Sequence, residues 1–458
     1  MEEQIVIRKF EQRSRANSMI INGGIPLCGT VPVSGYKHAL TLLISAGIIS
    51  RSRKIEIHNV PDISETIVLL NILQQLGGEA TFKDHTLTFN SANIKNRAIP
   101  GYLSRQIHGS VYIIPAMLAR FGEVYFEGSG GDRIGDPSKD GSRTIDHIIS
   151  VLKRFGAQFK TNASGVHGIC GKLKGQIIDI NDYAEHKETG SGPFVSGATK
   201  TALLAAIVAD GTTVIKNPWD KDATIELISF LENCGCSIRI YDGYWEIDGN
   251  IKTSRLSHNL ISDPTEIITY IACSTYLRNP ITITNVTDNL IRRALEPELK
   301  VLERMDINLR WADGRLYVDP SIDIKPVDVR ATSRGLNTDS HPFFTLMLTT
   351  ASGPSSVTDY VWRYRFAYVD HLKRLGADLH RMDRTVKINP RVPYIRGCMV
   401  RAADTRAGAV AVLAALSING KTSITETYHI DRGYEHLGEK LRGLGADITV
   451  NRGSVFSY

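Results

Sequence analysis

The chain has 458 residues, of which 42% are apolar and 22% are charged, so it is long enough for two or three domains with ordinary cores. Its net charge is +6, but the basic residues form no dense Lys/Arg block, which disfavours a nucleic-acid-binding surface. The N-terminal segment is too polar for a signal peptide and no run approaches about 18 apolar residues, so we expect a cytoplasmic protein without a membrane span.

Six cysteines are spread along the chain, and only Cys234 and Cys236 lie close together. One intervening residue matches no usual zinc or redox spacing, so we interpret all six as free thiols. The chain also lacks the phosphate-binding, dinucleotide-binding, zinc-protease and serine-hydrolase motifs, which disfavours those four activities.

An apolar helix-like run, a Leu-Gly-type turn and a short alternating strand recur six times along the chain. The turn residues, at spacings of 79, 79, 71, 70 and 69, are Gly77, Gly156, Gly235, Asp306, Gly376 and Gly445. Strands rich in Ile, Val and Thr open the repeats, and most lead into an Asn or Asp suited to cap a helix, as in KIEIHNVPD from Lys54. The pattern predicts an α/β or α+β fold made of six small subdomains.

The first three copies have a longer period than the last three, and the change falls near residues 250–265. We therefore predict two domains of three repeats each, with a cleft between them. A short strand segment over residues 18–33 precedes the first copy, and periodicity alone does not assign it to either domain.

Two Gly-rich segments in the first half carry residues suited to anionic substrates. In SGYKHAL, Lys37 opens a helix and could present its ammonium group to a phosphate or carboxylate; an ordinary solvated lysine is the alternative. Residues 128–148 contain five Gly, four acidic and three basic residues. This composition is typical of a mobile loop that could close over a site and deliver a general acid, or of a long surface turn.

The second half contains a candidate base and three candidate anion ligands. Asp339 in TDSHPFF could act as a general base if it is partly buried, or it could cap the helix that follows. Arg365, Arg406 and Arg432 each precede a helical run and could converge on a substrate with carboxylate and phosphate groups. Alternatively, each arginine pairs with a neighbouring acid, as Arg432 could with Asp431.

Together these residues resemble the enolpyruvyl transferase family from about Met19 onwards. The most specific segments are YHIDRGYEHLGEKLRGLGA from Tyr428, MLARFGEVYF from Met117, GSRTIDHIISVLKRFGA from Gly141 and SGATKTALLAA from Ser196. The resemblance implies a two-domain inside-out α/β barrel of six βαβαββ-type repeats, three per domain. We expect an N-terminal extension over 1–17, domain 1 over 37–261 with the mobile loop 128–143, and domain 2 over 18–36 plus 262–458.

The resemblance also implies an enzyme that joins phosphoenolpyruvate to an acceptor hydroxyl and releases phosphate, without a metal or organic cofactor. Such a reaction needs a base, an acid and cations. By position, the phosphoenolpyruvate ligands are Lys37, Arg143, Arg406 and Arg432. The base is Asp339, and Lys37 and Arg432 complete the catalytic set with the general acid. Arg365 matches a nearby arginine of the substrate cleft, and Asp146, Ser196 and Gly197 match positions around the uridine end of the acceptor.

The loop departs from the family's pattern. Residues 130–132 are Gly-Gly-Asp where the family usually has Gly-Gly-Cys, and about six extra residues precede Arg143. Asp132 is therefore the candidate general acid, with Asp140 as its rival.

Other departures lie mostly on the acceptor side. His38 replaces the Asn that follows the site lysine, Pro193 replaces a lysine near the acceptor's diphosphate, and an upstream arginine has no clear match around Ile107. This favours a smaller uridine acceptor such as UMP, in nucleoside-antibiotic metabolism, over the UDP-N-acetylglucosamine of cell-wall synthesis. A non-catalytic binding protein is the remaining alternative. We expect a monomer or small homo-oligomer with no nucleic-acid or membrane partner.

Overall fold

The computed structural model describes residues 17–249, 251, 255–286, 289–320, 323–390 and 397–452. The predicted extension over 1–17 therefore lies outside the described residues, apart from Asn17. Contacts divide the chain into two compact units. The first unit is residues 35–261, and the second is the described part of 1–34 and 262–458.

Two strands that belong to the second unit come first in the chain, β1 (Ser18–Gly23) and β2 (Gly29–Pro32). The first unit begins with α1 (Lys37–Ser50), β3 (Lys54–His58), α2 (Ser64–Gln75), β4 (Glu79–Lys83) and β5 (Thr86–Asn90). Its second repeat contains α3 (Gly101–Ser104), a 3₁₀ turn (Gly109–Tyr112), α4 (Ile113–Phe121), β6 (Glu123–Phe126), a 3₁₀ turn (Pro137–Lys139), α5 (Asp146–Arg154), β7 (Gln158–Asn162) and β8 (Gly165–Ile169). Its third repeat contains β9 (Ile177–Asp179), a 3₁₀ turn (Ile180–Tyr183), α6 (Val195–Ala206), β10 (Thr213–Lys216), α7 (Asp222–Asn233), β11 (Ser237–Tyr241) and β12 (Tyr244–Asp248), and the unit ends with β13 (Arg255–Asn259).

The second unit continues with α8 (Pro264–Leu277), β14 (Ile281–Thr284), α9 (Asn289–Arg304), β15 (Asn308–Ala312) and β16 (Arg315–Asp319). Its next repeat contains β17 (Asp328–Ala331), α10 (His341–Leu348), β18 (Ser355–Asp359), α11 (Ala367–Leu375), β19 (Asp378–Met382) and β20 (Thr385–Asn389). The last repeat contains β21 (Met399–Arg401), α12 (Thr405–Leu416), β22 (Gly420–Thr425), α13 (Tyr428–Asp431), α14 (Leu437–Gly443) and β23 (Asp447–Asn451).

Each unit contains three small sheets among its described residues, which confirms the prediction of six α/β repeats. The strand orders in the first unit are β13-β3-β5-β4, β6-β8-β7 and β11-β12-β10-β9. Those in the second unit are β21-β22-β1-β23, β15-β16-β14-β2 and β17-β18-β20-β19. In the three-stranded sheet, a single parallel bridge between Ile99 and Phe126 takes the place of the fourth strand.

In each unit, strands that are far apart in the sequence pair within one sheet. In the first unit the last strand, β13, pairs in parallel with β3, and Leu256 lies opposite Ile55. In the second unit β1 lies antiparallel between β22 and β23, while β2 pairs in parallel with β14. The segment that periodicity could not assign therefore packs with the second unit.

The helices at the centre of each unit are buried on nearly all sides. α1 buries twelve of its fourteen residues, and α12 buries all twelve of its residues. The helices α1, α4 and α6 contact one another in the first unit, as do α8, α10 and α12 in the second. A helix that is apolar all round has no solvent face, so it packs inside while the sheets lie outside it. This arrangement is the predicted inside-out barrel.

The six repeat turns share one backbone conformation, which explains their composition. Their φ angles are all positive: 92° at Gly77, 101° at Gly156, 79° at Gly235, 64° at Asp306, 114° at Gly376 and 104° at Gly445. Glycine adopts this left-handed region at little cost at the end of a helix, and Asp is one of the few other residues that tolerate it. No described helix is both long and apolar enough to cross a membrane.

Candidate active site

In the second unit Asp339 lies in the turn before α10, and its carboxylate contacts two arginines. Oδ1 pairs with Nη1 of Arg365, and Oδ2 lies 3.2 Å from Nη2 of Arg406. The side chain of Asp339 is 13% exposed, while those of Arg365 and Arg406 are 6% and 2% exposed. The N-cap of α10 is Ser340, so Asp339 does not occupy the capping position. Asp339 is therefore partly buried, as the interpretation as a general base assumes, and this role stays a prediction.

Hydrogen bonds to backbone amides fix Arg406 at the start of α12. The carboxylate of Asp404 caps this helix, accepting hydrogen bonds from the backbone amides of Arg406 (2.9 Å) and Ala407 (2.8 Å). The guanidinium carbon of Arg406 lies 5.1 Å from the ring centroid of Tyr434. Nη1 of Arg406 and Nε of Arg365 are buried without a hydrogen-bond partner among the described residues. Since buried donors are normally satisfied, these two N–H groups are suited to an anionic ligand.

Arg432, the third predicted arginine, is half-buried at the C-terminal end of α13. It lies two residues before Tyr434, whose ring is the surface under Arg406. The carboxylate of its neighbour Asp431 accepts a hydrogen bond from Nδ2 of Asn17 at 3.3 Å. Arg432 thus shares the last repeat with Arg406, while its role as a substrate ligand stays a prediction.

A buried aspartate that sequence reasoning missed fixes the turns that carry Asp339 and Arg365. Asp359 Oδ2 accepts a hydrogen bond from Oγ1 of Thr338 at 2.6 Å, and Oδ1 accepts from the amides of Val361 (2.7 Å) and Trp362 (3.2 Å). Nε2 of His341 lies 3.1 Å from Oδ2, and both of these side chains are fully buried. Burial alone would raise the pKa of Asp359, but these contacts lower it below its ordinary value.

In the first unit Lys37 is the first residue of α1 and is buried, which excludes the solvated-lysine alternative. Its Nζ lies 3.2 Å from Oε1 of Glu65, in the first turn of α2. His38 is half-buried and meets the ring of Tyr36 edge-on, with centroids 5.5 Å apart. A buried ammonium with one carboxylate partner at a helix N-terminus is suited to a phosphate group.

The Gly-rich loop packs closely on neighbouring backbone. A Cβ at Gly130 would lie 1.7 Å from the carbonyl oxygen of Arg105. Gly131 has φ +92°, and a Cβ there would lie 2.4 Å from Nη2 of Arg143 and 2.9 Å from Cβ of His108. Only glycine fits at these two positions, so the loop can lie directly over Arg143.

The two candidate acids in this loop differ in their surroundings. Asp132 follows Gly131 and is half-buried. Asp140 is exposed, and its Oδ1 pairs with Nη1 of Arg133 at 2.5 Å. This placement favours Asp132 as the general acid, and the choice stays a prediction.

The predicted acceptor residues lie on α5 and α6. Asp146 is exposed and lines an open groove of about 470 Å³ with Ile149, Ser150, Lys153 and Arg154. Ser196 is half-buried, and a Cβ at Gly197 would lie 2.2 Å from Nε2 of His147. Gly197 is therefore required for close packing against the histidine, while Asp146 faces solvent.

Sequence reasoning also missed three basic residues of the first unit, Lys200, His147 and His108. Lys200 is 7% exposed, and its Nζ lies 4.7 Å from the ring centroid of Trp219 and 5.5 Å from that of Tyr112. His147 is 8% exposed and stacks on Phe194. A lysine inside the otherwise apolar segment SGATKTALLAA was the one sequence signal available.

The histidines of this group are uncharged in the folded protein. Burial lowers the pKa of His147 to about 4, although Asp146 opposes the shift. Burial also lowers the pKa of His108 well below its ordinary value, and the nearby basic groups Arg143, His147, Lys200 and His38 lower it further. The surroundings of His108 are therefore strongly basic.

Neither a disulfide nor a metal centre is found in the parts of the chain that the structure describes. None of the six cysteines, all of which lie within those parts, forms a disulfide bond. Among the described residues no group of three or more His, Cys, Asp or Glu side chains could hold a metal ion.

Comparisons with known proteins assign the chain to a class. The chain matches the family model of EPSP synthase (3-phosphoshikimate 1-carboxyvinyltransferase) over residues 21–441. The UDP-N-acetylglucosamine 1-carboxyvinyltransferase of Lactobacillus acidophilus is 31% identical over 445 residues, covering 94% of this chain and 96% of that protein. UDP-N-acetylglucosamine 1-carboxyvinyltransferase 2 of Bacillus subtilis is 31% identical over 435 residues, covering 94% and 96%.

Solved structures agree with this class. The enolpyruvyl transferase NikO from Streptomyces tendae superimposes with a TM-score of 0.88 at 32% identity, covering 96% of this chain and 100% of that one. EPSP synthase from Acinetobacter baumannii gives a TM-score of 0.72 at 18% identity, a likeness of fold alone. The class is that of the carboxyvinyl transferases. The chain belongs to the enolpyruvyl transferase family, which confirms the family, fold and enzyme class predicted from the sequence.

Proposed function

We propose that this enolpyruvyl transferase moves the enolpyruvyl group of phosphoenolpyruvate to a hydroxyl of a uridine nucleotide such as UMP and releases phosphate. The observation that carries the proposal is the Asp339 carboxylate paired with Arg365 and Arg406. Nη2 of Arg406 holds the carboxylate, while its buried Nη1 has no partner among the described residues. One guanidinium group can therefore bind an anionic substrate and orient the base at the same time.

The proposed addition step uses two carboxyl groups. Asp339 takes the proton of the acceptor hydroxyl, and the hydroxyl oxygen forms a bond with C2 of phosphoenolpyruvate. The C2–C3 π electrons take a proton from Asp132, so that C3 becomes a methyl group. The product is a tetrahedral ketal with the acceptor oxygen and the phosphate both on C2.

Elimination completes the transfer. C3 returns a proton to the Asp132 carboxylate, the C2–C3 double bond forms again, and the bond between C2 and the phosphate oxygen breaks. Phosphate leaves with the bonding electron pair, and its charge is neutralised by cations. Lys37, Arg143, Arg406 and Arg432 are the proposed ligands of the phosphate and carboxylate groups.

The acceptor is proposed from the residues that surround its expected position. Asp146, Ser196 and Gly197 are present, but Pro193 stands where a lysine would face a diphosphate. Loss of a cation there weakens binding of a diphosphate more than that of a monophosphate, because the diphosphate places more negative charge at that point. UMP is therefore the acceptor we favour, with a place in nucleoside-antibiotic metabolism.

A second candidate acceptor is UDP-N-acetylglucosamine. Its support is the name of the curated relatives, which match nearly the whole chain at about 31% identity. The third reading, a non-catalytic binding protein on this scaffold, is disfavoured by the retention of Lys37, Asp339 and Arg406 with buried or partly buried side chains.

One assay separates these candidates. Purified protein is incubated with phosphoenolpyruvate and, separately, UMP, UDP-N-acetylglucosamine, other nucleotides or shikimate 3-phosphate, and phosphate release and product mass are measured. We expect release and an enolpyruvyl product with UMP. Turnover with UDP-N-acetylglucosamine alone would establish the second candidate. Binding of phosphoenolpyruvate without turnover on any acceptor would support the binding protein.

A further inference from the structure

We propose that His108, His147 and Lys200 form a subsite for the phosphate group of a nucleoside monophosphate acceptor. We call these three residues the basic cluster. The proposal rests on the proposed function and deepens it, because it names the group that selects the acceptor.

The basic cluster is assembled from three separate segments of the first unit. His108 immediately precedes the 3₁₀ turn 109–112, His147 lies in the first turn of α5, and Lys200 lies in α6. The helices α4 and α5 both contact α6, which brings these segments together. Tyr112 lies beneath the Lys200 ammonium group, so a side chain of the 3₁₀ turn that follows His108 reaches α6.

Two buried ring nitrogens of the basic cluster have no hydrogen-bond partner in the part of the chain that the structure describes. Nδ1 of His108 and Nδ1 of His147 are both buried without a hydrogen-bond partner among the described residues. Native proteins rarely leave buried polar groups unsatisfied unless a ligand or water completes them. A phosphate has several acceptor oxygens and can satisfy both rings at once.

The charges around the basic cluster point to an anion. The titratable groups that act on His108 are all basic; they are Arg143, His147, Lys200 and His38. The two that are charged at neutral pH, Arg143 and Lys200, are costly to hold together away from water unless an opposite charge compensates them. A monoester phosphate carries nearly two negative charges at neutral pH, which suits such a site.

The position of the basic cluster assigns it to the acceptor, not to phosphoenolpyruvate. His147 is next to Asp146, and its ring is packed against Gly197; both neighbours belong to the proposed acceptor set. Lys200 is one helical turn beyond Ser196 on α6. Two of the three side chains therefore lie on the elements that carry the acceptor residues.

Proton uptake gives the subsite a signature of its own. Around neutral pH the ring of His147 is uncharged in the folded protein, since burial holds its pKa at about 4 against the opposing effect of Asp146. A phosphate dianion bound against the ring favours its protonated form and so raises that pKa. UMP binding should therefore take up protons at about pH 7.5, where the free phosphate is already almost entirely a dianion, whereas uridine binding should not.

The test measures calorimetric binding of UMP and of uridine to the full chain, and the KM for phosphoenolpyruvate during turnover. The variants are Lys200→Met and His147→Phe, the latter keeping an aromatic ring on Phe194. Lys172→Met is the control, because Lys172 is exposed and pairs with Asp210. We expect each test variant to weaken UMP binding about 10- to 100-fold with little change for uridine, as loss of a charged hydrogen bond implies.

Three results would overturn the proposal: no UMP binding by the wild-type protein, an equal loss for UMP and uridine, or a raised KM for phosphoenolpyruvate with unchanged UMP affinity. The last result would place the basic cluster on the phosphoenolpyruvate side. If UMP binds, the variants weaken it selectively, and phosphoenolpyruvate still releases no phosphate, then the subsite stands and the proposed reaction fails.

Discussion

Replacing Asp359 by Asn should loosen the turn that carries Asp339, the proposed base, without removing a proposed substrate ligand. Asn keeps one acceptor oxygen for the amides of Val361 and Trp362. Its NH₂ group cannot accept the 2.6 Å hydrogen bond from Thr338, the residue before Asp339, and can only donate to that hydroxyl in a reversed bond between neutral groups. The side chain of His341, 3.1 Å from the same oxygen, loses its charged partner as well.

The magnitude follows from these contacts. A hydrogen bond to a charged group contributes about 1.5–3 kcal/mol, so the loss of one or two should lower the free energy of unfolding by about 2–5 kcal/mol. A displacement of Asp339 on the order of 1 Å is expected to lower kcat about 100-fold. The KM for phosphoenolpyruvate should change much less, because Asp359 is not one of its ligands.

The assay combines steady-state kinetics with urea denaturation of Asp359→Asn. Asp328→Asn is the matched control, since Asp328 is exposed, accepts a hydrogen bond from Ser356 at 2.7 Å and lies on the neighbouring strand of the same sheet. A folded Asp359→Asn protein with wild-type kcat would refute the reasoning. So would an equal loss of activity in the control.

Three further outcomes are expected. Asp339→Ala should lose turnover by about three orders of magnitude or more while calorimetry still detects phosphoenolpyruvate binding; unchanged turnover would remove Asp339 as the base. Asp132→Asn should lower kcat about 100- to 10,000-fold and Asp140→Asn should not, and the reverse pattern would assign the acid to Asp140. Since the pKa of His147 is lowered from 6.5 to about 4, the unfolded chain binds a proton that the folded protein does not, so the stability present above pH 6.5 is lost as the pH falls towards 4. Urea denaturation should therefore show that the free energy of unfolding falls between pH 7.5 and pH 5 by about 2 kcal/mol more in the wild-type protein than in His147→Phe. Equal decreases in the two proteins would contradict the argument that burial lowers the pKa of His147.

Asp359 and the histidines of the basic cluster could not be predicted from the sequence. Asp359 is the last residue of β18, and its segment, TDYVW, has the composition of an ordinary turn. Its hydrogen-bond partner Thr338 is 21 residues away in the sequence. His108 and His147 are single histidines in segments that otherwise match apolar periodicity. A lone histidine or aspartate has no local pattern that predicts burial, because its burial depends on which elements pack around it.

Contacts between residues far apart in the sequence distinguished the alternative interpretations of Asp339, Arg365 and Arg406. Asp339 could have capped a helix, and Arg365 or Arg406 could have paired with an adjacent acid. In the structure these three side chains meet although they are 26 and 67 residues apart along the chain. No periodicity in the sequence contains that information.

The amino-acid sequence by itself determined the six repeats, because each depends on local requirements: an apolar helix face, and a turn residue that tolerates positive φ. It also determined the family, since the matching segments are contiguous. Only the tertiary structure decided the pairing of Asp339 with two buried arginines, the anchoring by Asp359 and the basic cluster. These depend on long-range packing of buried helices and strands, which brings charged side chains together where water cannot screen them.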